Sequence, residues 1–344
     1  MKRVLLSIAA VTVGLATFAG PAVACGGLVG ENGTIQLVRT ATLAAYHDGV
    51  ERYVTSFKFV GEGAEVGSII PLPDVPTSVV RGGDWTLQRL GLEVAPPRRE
   101  AVLAASAAGT TSASATVILE TKIDALDITV LEGGAAAVGQ WALEHGFFLT
   151  PDAPEVLEFY ASRSPIFMAA RFDARRAKAL GQRSGDGTPI MLTIPTDQPW
   201  VPLRILALGQ PKSQVVDADV FLLTDDKPTL LAGGSGLSLE RSESARPALL
   251  DDLRSDKGME WVPQSMWFSY LRVAATAGDL DYDLAVSSNA KVAPPRVDTG
   301  LARPVSIGGR EHLARWPIVL GVLSAAAAIF LLAGWTAGGR RRTP

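Results

Sequence analysis

The alternation of apolar and polar residues predicts β-strands in the first part of the chain. Runs rich in β-branched and aromatic residues flank Asp48-Gly49, a dipeptide typical of a two-residue hairpin loop. Such a loop places His47 opposite Val50 and fixes the pairing of the residues behind them. A further strand is predicted at 66–71, where closely spaced prolines prevent the ladder from continuing.

A helical period replaces the strand period from Ala135 onward. One face of this helix carries Val138, Trp141, Ala142 and His145, and Gly146 follows as the residue that ends it. A second helix is predicted to open at 150–152, where a hydroxyl, a proline and an acid occur in sequence. Its apolar stripe consists of Val156, Phe159 and Tyr160. The two segments predict a helical hairpin in the middle of the chain.

Strand patterns dominate the chain on both sides of this helical hairpin. The other predicted elements are strands at 116–121, 126–131, 166–172, 189–195, 203–208 and 215–224, helices at 87–92 and 243–257, and a final strand pair at 265–275 and 282–287. Asp84 is expected near the start of the helix at 87–92. Because strands and helices do not alternate regularly, the order favours an α+β fold with mixed or antiparallel sheets.

The N-terminal segment has the three parts of a secretory signal peptide: a charged start, an apolar run at 4–18, and small residues at Ala22 and Ala24. We therefore predict a signal peptide at 1–24, with Cys25 as the first residue of the mature chain. Cys25 is also a candidate for lipid attachment, although lipoprotein signals usually carry a bulky aliphatic residue where Ala22 stands. A buried thiol is the third interpretation of this cysteine.

The C-terminal segment contains no charged residue from 316 to 335 and ends in a basic cluster. This pattern predicts a transmembrane helix at 316–336 and a short cytoplasmic tail at 337–344. The residues that define the anchor are Trp316, Trp335, Arg340, Arg341 and Arg342. A buried core helix, the alternative, explains the basic cluster less well. The prolines and glycines of 289–315 predict a stalk between the folded domain and the membrane.

Composition agrees with a folded domain outside the cytoplasm. The formal net charge of −3 offers no basic surface for nucleic acid. A single cysteine excludes an intramolecular disulfide, so the domain at 25–288, of one or two subdomains, depends on its own core. An Ala-, Ser- and Thr-rich stretch at 95–116 is expected to be an exposed insertion. The expected partners are membrane lipid, through the C-terminal helix, and an envelope protein or cell-wall component.

The three histidines of the chain have structural interpretations. His47 is expected to be solvated beside the hairpin turn. His145 lies in the last turn of a predicted helix, where a partly positive imidazole suits the helix dipole. His312 lies in the predicted stalk.

Catalytic motifs are incomplete. No G-x-S-x-G occurs, and the glycines around Ser235 indicate a flexible loop. The S-x-x-K match at 288–291 lies at the start of the stalk without companion motifs.

A calcium-type spacing occurs at Asp279, Asp281 and Asp283, but the glycine and glutamate of an EF-hand loop are absent from their positions. Solvated strand-edge acids, or a looser calcium site completed by Asp225 and Asp226, are the remaining interpretations. The sequence therefore predicts no catalytic, cofactor-binding or metal-binding residue.

Several segments together resemble an uncharacterised bacterial family of exported proteins, domain of unknown function 2330. These segments are "ACGG" at 24–27, "IIPLPDVP" at 69–76, the helix pair at 141–173 and "WVPLRILALGQ" at 200–210. Family members often have a second cysteine shortly after "ACGG", but 28–33 contains none. The resemblance implies an exported location and supplies no catalytic residues.

Two functional hypotheses follow from the sequence. The first is a membrane-anchored extracytoplasmic protein, mostly outside the cell membrane, that binds a protein or another envelope component. The alternative is a cell-envelope hydrolase whose serine nucleophile and base come from distant segments.

Overall fold

The structure is a computed structural model that describes residues 27–30, 40–57, 66–95, 115–147, 149–182, 187–197, 199–232 and 234–287. The predicted signal peptide, stalk, transmembrane helix and tail, most of the insertion and the whole S-x-x-K match lie outside these residues. So do the residues Cys25, His312, Trp316, Trp335, Arg340, Arg341 and Arg342. Among the described helices, none is long and apolar enough to cross a bilayer.

The described residues form fifteen strands, five α-helices and two 3-10 helices. The strands are β1 Gly27–Gly30, β2 Thr40–His47, β3 Val50–Phe57, β4 Val66–Leu72, β5 Ser78–Arg81, β6 Thr116–Ile123, β7 Leu126–Glu132, β8 Ile166–Phe172, β9 Thr188–Pro195, β10 Trp200–Val201, β11 Val215–Thr224, β12 Thr229–Ala232, β13 Leu237–Ser244, β14 Trp267–Thr276 and β15 Leu284–Ser287. The α-helices are α1 Thr86–Val94, α2 Ala135–Glu144, α3 Ala153–Ala161, α4 Ala174–Ala179 and α5 Pro247–Arg254. The 3-10 helices are Arg204–Ala207 and Ala277–Asp279.

Three sheets organise these strands, which confirms the α+β class. The seven-stranded sheet has the order β13-β14-β11-β2-β3-β9-β5 and is mixed, because β11 pairs with β2 in parallel. The five-stranded sheet, β1-β4-β8-β7-β6, and the three-stranded sheet, β10-β15-β12, are antiparallel.

The predicted hairpin at Asp48-Gly49 is confirmed with its register. His47 pairs with Val50, and the ladder continues in step along both strands. Both loop residues have positive φ, 50° and 73°, as the tight turn requires. Glycine and aspartate tolerate this conformation, which explains why the dipeptide sets the register.

The core is divided into three clusters that separate four layers. The central cluster lies between the seven-stranded sheet and the other two sheets. A second cluster joins α2 and α3 to the outer face of the five-stranded sheet, and a third joins α1 and α5 to the outer face of the seven-stranded sheet. On β11, Val220 belongs to the central cluster and Phe221 to the outer one, so both faces of this strand are covered.

The helical hairpin is confirmed, with changes at its second helix. α2 ends at the predicted position, and Gly146 follows with φ of 80°. α3 begins at Ala153, later than predicted. Leu157 is buried on this helix, whereas Phe159 is only partly buried.

The strand predicted at 203–208 is wrong. The segment contains the 3-10 helix Arg204–Ala207, although its apolar side chains are buried as a strand would bury them. The reason is tertiary: the backbone N–H groups of Leu203 and Arg204 donate to the carboxylate of Asp283, and that of Ile205 donates to the hydroxyl of Tyr160. These partners replace the ladder that a strand would need.

The predicted pairing of the last two strands is also wrong. β14 pairs with β11 and β13, whereas β15 pairs with β10 and β12 in another sheet. The helix predicted at 243–257 is shorter, because β13 continues to Ser244 and Pro247 opens α5. The sheet partners of β13, β14 and β15 depend on long-range strand pairing, which local patterns do not encode.

Candidate functional site

A cleft of about 650 Å³ lies beside α1, on the outer side of the seven-stranded sheet. Four strands supply part of its lining, through Ala41 of β2, Ser56 of β3, Arg81 of β5 and Pro189 of β9. We call this feature the α1 cleft. Its volume falls in the range of about 300–1,000 Å³ that is usual for small-ligand sites.

The walls of the α1 cleft combine apolar and polar side chains. Leu87 and Gln88 project from α1, and Leu180 and Gln182 follow the end of α4. The side-chain amide of Gln182 donates to the hydroxyl of Thr188 at 3.1 Å. The side-chain oxygen of Gln182 is buried and has no hydrogen-bond partner within the described ranges. It is therefore an acceptor suited to a ligand hydroxyl or amide group.

The charged groups of the α1 cleft are paired with one another. Arg81 donates from Nη2 to Asp84 at 2.9 Å and from Nε to Asp124 at 2.7 Å. Hydrogen bonds to Asp84 and Asp124 raise the pKa of Arg81 above its ordinary value. Because one cation faces two carboxylates, the cleft presents no excess positive charge at this point.

The start of α1 is held by a carboxylate from a distant segment. Asp256 accepts hydrogen bonds from the backbone N–H groups of Trp85 and Thr86, at 3.0 and 2.7 Å, and from the Thr86 hydroxyl at 2.8 Å. Sequence reasoning placed Asp84 in this position, but Asp84 pairs with Arg81 instead. A Cβ at Gly83 would lie 2.1 Å from the Asp256 carboxylate, so this close approach requires glycine.

A second groove, of about 570 Å³, lies where the C-terminal end of α2 meets the five-stranded sheet. Its lining includes His145 and Trp141, whose rings stack with centroids 3.8 Å apart. The Nδ1 atom of His145 lies 2.8 Å from the carbonyl oxygen of Trp141. A carbonyl only accepts, so Nδ1 carries the proton of the neutral ring. His145, predicted in the last turn of this helix, is the C-cap residue that directly follows it.

The sequence predicted that His47 is simply solvated beside the turn, but in the structure its ring has two carboxylate neighbours. Its Nδ1 lies 2.6 Å from Oδ1 of Asp225, which follows β11, and its Nε2 lies 3.4 Å from Oδ2 of Asp48. The imidazole also stacks on Trp261, with centroids 6.3 Å apart. A serine hydrolase would require a hydroxyl at Nε2, whereas in this structure that atom faces a carboxylate.

The looser calcium site, in which Asp225 and Asp226 complete the acids at 279–283, is ruled out by the strand pairing between β11 and β14. Thr224, next to Asp225, pairs with Trp267, and Val215 pairs with Thr276, next to the second 3-10 helix. The ladder of ten pairs separates its two ends by about 30 Å at roughly 3.3 Å per residue. Asp225 and Asp279 therefore lie at opposite ends of the same pair of strands.

Asp283 is fully buried and makes a structural network rather than part of a calcium loop. It accepts hydrogen bonds from the Tyr160 hydroxyl at 2.8 Å and from the backbone N–H groups of Leu203 and Arg204 at 2.7 and 3.0 Å. Its other oxygen pairs with Arg163 at 2.7 Å. Burial raises the pKa of Asp283, and the charge of Arg163 opposes this rise. The network joins α3, the first 3-10 helix and the start of β15.

The residues that build the α1 cleft were not singled out by sequence reasoning. The available signal was local: Gly82-Gly83-Asp84 precedes a short helix. That signal does not reveal Asp256 or Asp124, which approach from distant parts of the chain.

The model of an uncharacterised protein family conserved in bacteria, DUF2330, matches residues 19–227. The chain belongs to this family. The match includes the residues of the α1 cleft and of the His145 groove. The described elements of this DUF2330 chain from β12 onward, which include α5 and β14, lie beyond the matched range. No curated protein matches the sequence.

The solved structures that match this chain include three of a baculovirus protein. The crystal structure of baculovirus P35 has a TM-score of 0.40 at 10% identity, covering 74% of the DUF2330 chain and 97% of P35. A mutated baculovirus P35 after caspase cleavage gives 0.38 at 7% identity, with 73% and 100% covered. The caspase-8/P35 complex gives 0.36 at 8% identity, with 73% and 96% covered.

Proposed function

We propose that this DUF2330 protein is a membrane-anchored extracytoplasmic module that binds a cell-wall polymer in the α1 cleft. The signal-peptide pattern at 1–24 and the charge-free segment at 316–335 support the location. The observation that carries the binding proposal is the cleft itself, which combines small-ligand size with mixed apolar and polar walls.

The chemistry of the cleft favours a neutral, hydrogen-bonding ligand. Arg81 is paired with both Asp84 and Asp124, so an anionic ligand finds no unpaired cation among these three groups. The Gln182 oxygen offers a buried acceptor, and Leu87 and Leu180 offer apolar contact. Sugar rings and short peptides of a cell-wall polymer provide hydroxyl and amide donors together with apolar faces.

Co-sedimentation of the full-length protein with purified peptidoglycan sacculi tests this proposal. Leu180→Glu places a carboxylate in the cleft and is expected to raise the apparent Kd for sacculi roughly tenfold, about 1.4 kcal/mol of binding free energy. Leu143→Glu is the matched control, because Leu143 is a similarly exposed leucine outside the cleft (51% against 56% exposed). We expect this variant to bind like the wild type.

Equal sedimentation of the Leu180→Glu variant and the wild type would contradict the cleft as the binding site. Failure of the wild type to sediment, with specific capture of one envelope protein by crosslinking at the cleft, would replace the polymer by a protein partner. Labelling of the wild type by a fluorophosphonate probe would support the hydrolase alternative instead.

A further inference from the structure

The His47 side chain is oriented by a carboxylate from a distant strand. Asp225, the residue that follows β11, lies 2.6 Å from Nδ1. A carboxylate only accepts, so Nδ1 holds the proton and the lone pair of the neutral imidazole is at Nε2. Histidines that bind metals are commonly held in this way, with the second ring nitrogen donating to a carboxylate.

The Nε2 atom of His47 faces a second carboxylate. Its distance to Oδ2 of Asp48 is 3.4 Å, and the Asp48 side chain is 85% exposed. When the imidazole is neutral, both atoms are acceptors and cannot hydrogen-bond each other. A cation between them would satisfy both.

The separation of these two atoms fits a shared transition-metal ion. Zinc binds histidine nitrogen and carboxylate oxygen at about 2.0–2.2 Å, and two such ligands in tetrahedral geometry lie about 3.4 Å apart. The ligand atoms of His47, Asp48 and Asp225 all lie within 4.8 Å of one another. The side chains are therefore close enough to act on one ion without a movement of the backbone.

We propose that His47 and Asp48 bind a zinc-type divalent ion, with Asp225 as the carboxylate that orients His47. Water completes the coordination, because the side chains of Asp48, in the hairpin loop, and Asp225, after β11, are both open to solvent. The imidazole ligand favours zinc, nickel and copper over calcium and magnesium, which prefer oxygen ligands alone.

Aromatic packing keeps the imidazole in place. His47 stacks on Trp261, and the guanidinium of Arg52 lies 4.2 Å from the centroid of the same Trp261 ring. Arg52 is the cation that opposes metal binding here, but the charges of Asp48 and Asp225 outnumber it. The rigid ring reduces the entropy lost when an ion binds.

This site is separate from the α1 cleft. His47 and Ala41 lie at opposite ends of β2, about 20 Å apart at roughly 3.3 Å per residue. Loss of metal binding and loss of sacculus binding are therefore distinguishable by the variants that cause them.

Zinc titration of the untagged full-length protein, with a competing fluorescent chelator, tests the metal site. We expect one saturable site in the wild type, no binding in His47→Gln, and binding weakened about 10- to 100-fold in Asp225→Asn, the range for losing an orienting carboxylate. Asp48→Asn is expected to weaken binding by at least about tenfold, and asparagine tolerates the positive φ at this turn. Calcium is expected not to compete.

Two matched controls are available, Asp226→Asn beside the site and His145→Gln in the other groove. Both are expected to bind zinc like the wild type. Thermal unfolding of every variant without metal verifies folding, and added zinc is expected to raise Tm only where the site is intact. Wild-type protein without saturable binding, or His47→Gln binding as tightly as wild type, would overturn the proposal.

Discussion

At the residue scale, Asp283 is a carboxylate buried among hydrogen-bond donors from three segments of the chain. Its spacing with Asp279 and Asp281 suggested an exposed acid, yet Asp283 is 0% exposed and bonded on both oxygens. The backbone segment at 203–205 depends on this network, together with the hydroxyl of Tyr160. A single carboxylate therefore decides the conformation of a segment 80 residues away.

We predict that Asp283→Asn strongly destabilises the protein. The substitution removes the negative charge that faces Arg163 in a buried site, at a cost of about 3–5 kcal/mol in the free energy of unfolding. Urea unfolding measures the effect. Asp281→Asn is the control, since Asp281 is exposed and a surface change of this kind stays within about 0.5 kcal/mol. Similar midpoints for the two variants would mean that the network is not important for stability.

Glu51 is a second buried carboxylate, with neither oxygen in a hydrogen bond of normal geometry within the described ranges. Burial raises the pKa of Glu51 to about 8, although the backbone N–H of Trp200 opposes the shift. An unfolded glutamate has a pKa of about 4.3. Between these values the folded chain holds a proton that the unfolded chain releases, so stability falls as pH rises.

We predict that the wild type loses stability from about pH 5 to pH 8, by up to about 1.4 kcal/mol per pH unit from this group. Glu51→Gln is neutral at every pH and is expected to show a smaller loss. Urea unfolding at pH 5, 6.5 and 8 gives the comparison. Glu158→Gln, on the exposed side of α3, is the control and should follow the wild type. Parallel pH profiles for all three proteins would refute the prediction.

At the element scale, α1 depends on a partner that is remote in sequence. Asp256 satisfies the N–H groups at the helix start, and Gly83 provides the space for its carboxylate. A nine-residue helix is too short to be stable alone in water. Its position beside the cleft therefore follows from the cap and from its packing against α5.

Asp256→Ala is expected to loosen the start of α1 and to destabilise the protein by about 0.5–2 kcal/mol, the usual effect of losing an N-terminal cap. Hydrogen exchange should be faster in the peptide that covers 84–92 than in the wild type. Asp251→Ala is the control, because Asp251 lies on α5 and pairs only at the surface with Arg254. Unchanged exchange in Asp256→Ala would show that packing alone holds the helix.

At the scale of the whole molecule, the four layers explain how the chain folds with a single cysteine. Two helix layers cover the outer faces of the sheets, so most strands contribute to two cores. This arrangement buries enough apolar surface to stabilise a domain without disulfides.

Cysteine labelling in spheroplasts tests the proposed topology. In a Cys25→Ser background, Asp281→Cys is expected to react with a membrane-impermeant maleimide in intact spheroplasts, and Thr343→Cys only after lysis. The reason is the predicted transmembrane helix at 316–336, which would place the two positions on opposite sides of the membrane. Both variants should react fully in detergent. Labelling of Thr343→Cys alone before lysis would require the opposite orientation.

Local patterns were sufficient where the physics is local. The hairpin at Asp48-Gly49, α2 with its terminal glycine, and the α+β class all followed from the sequence. Turn residues and apolar periodicity act over a few positions, so the sequence of a short segment is enough to predict these elements. The membrane anchors remain predictions of the same kind.

Tertiary structure alone decided the conformation at 203–208, the partners of β14 and β15, and the sites. The 3-10 helix exists because Asp283 and Tyr160 bind its backbone. At the α1 cleft, Asp256 holds the start of α1 and Asp124 holds Arg81, and both acids are distant in sequence from the groups they bind. His47 meets Asp225 only through the parallel pairing of β2 with β11. Such contacts depend on which strands become neighbours, and this information is spread over the whole chain.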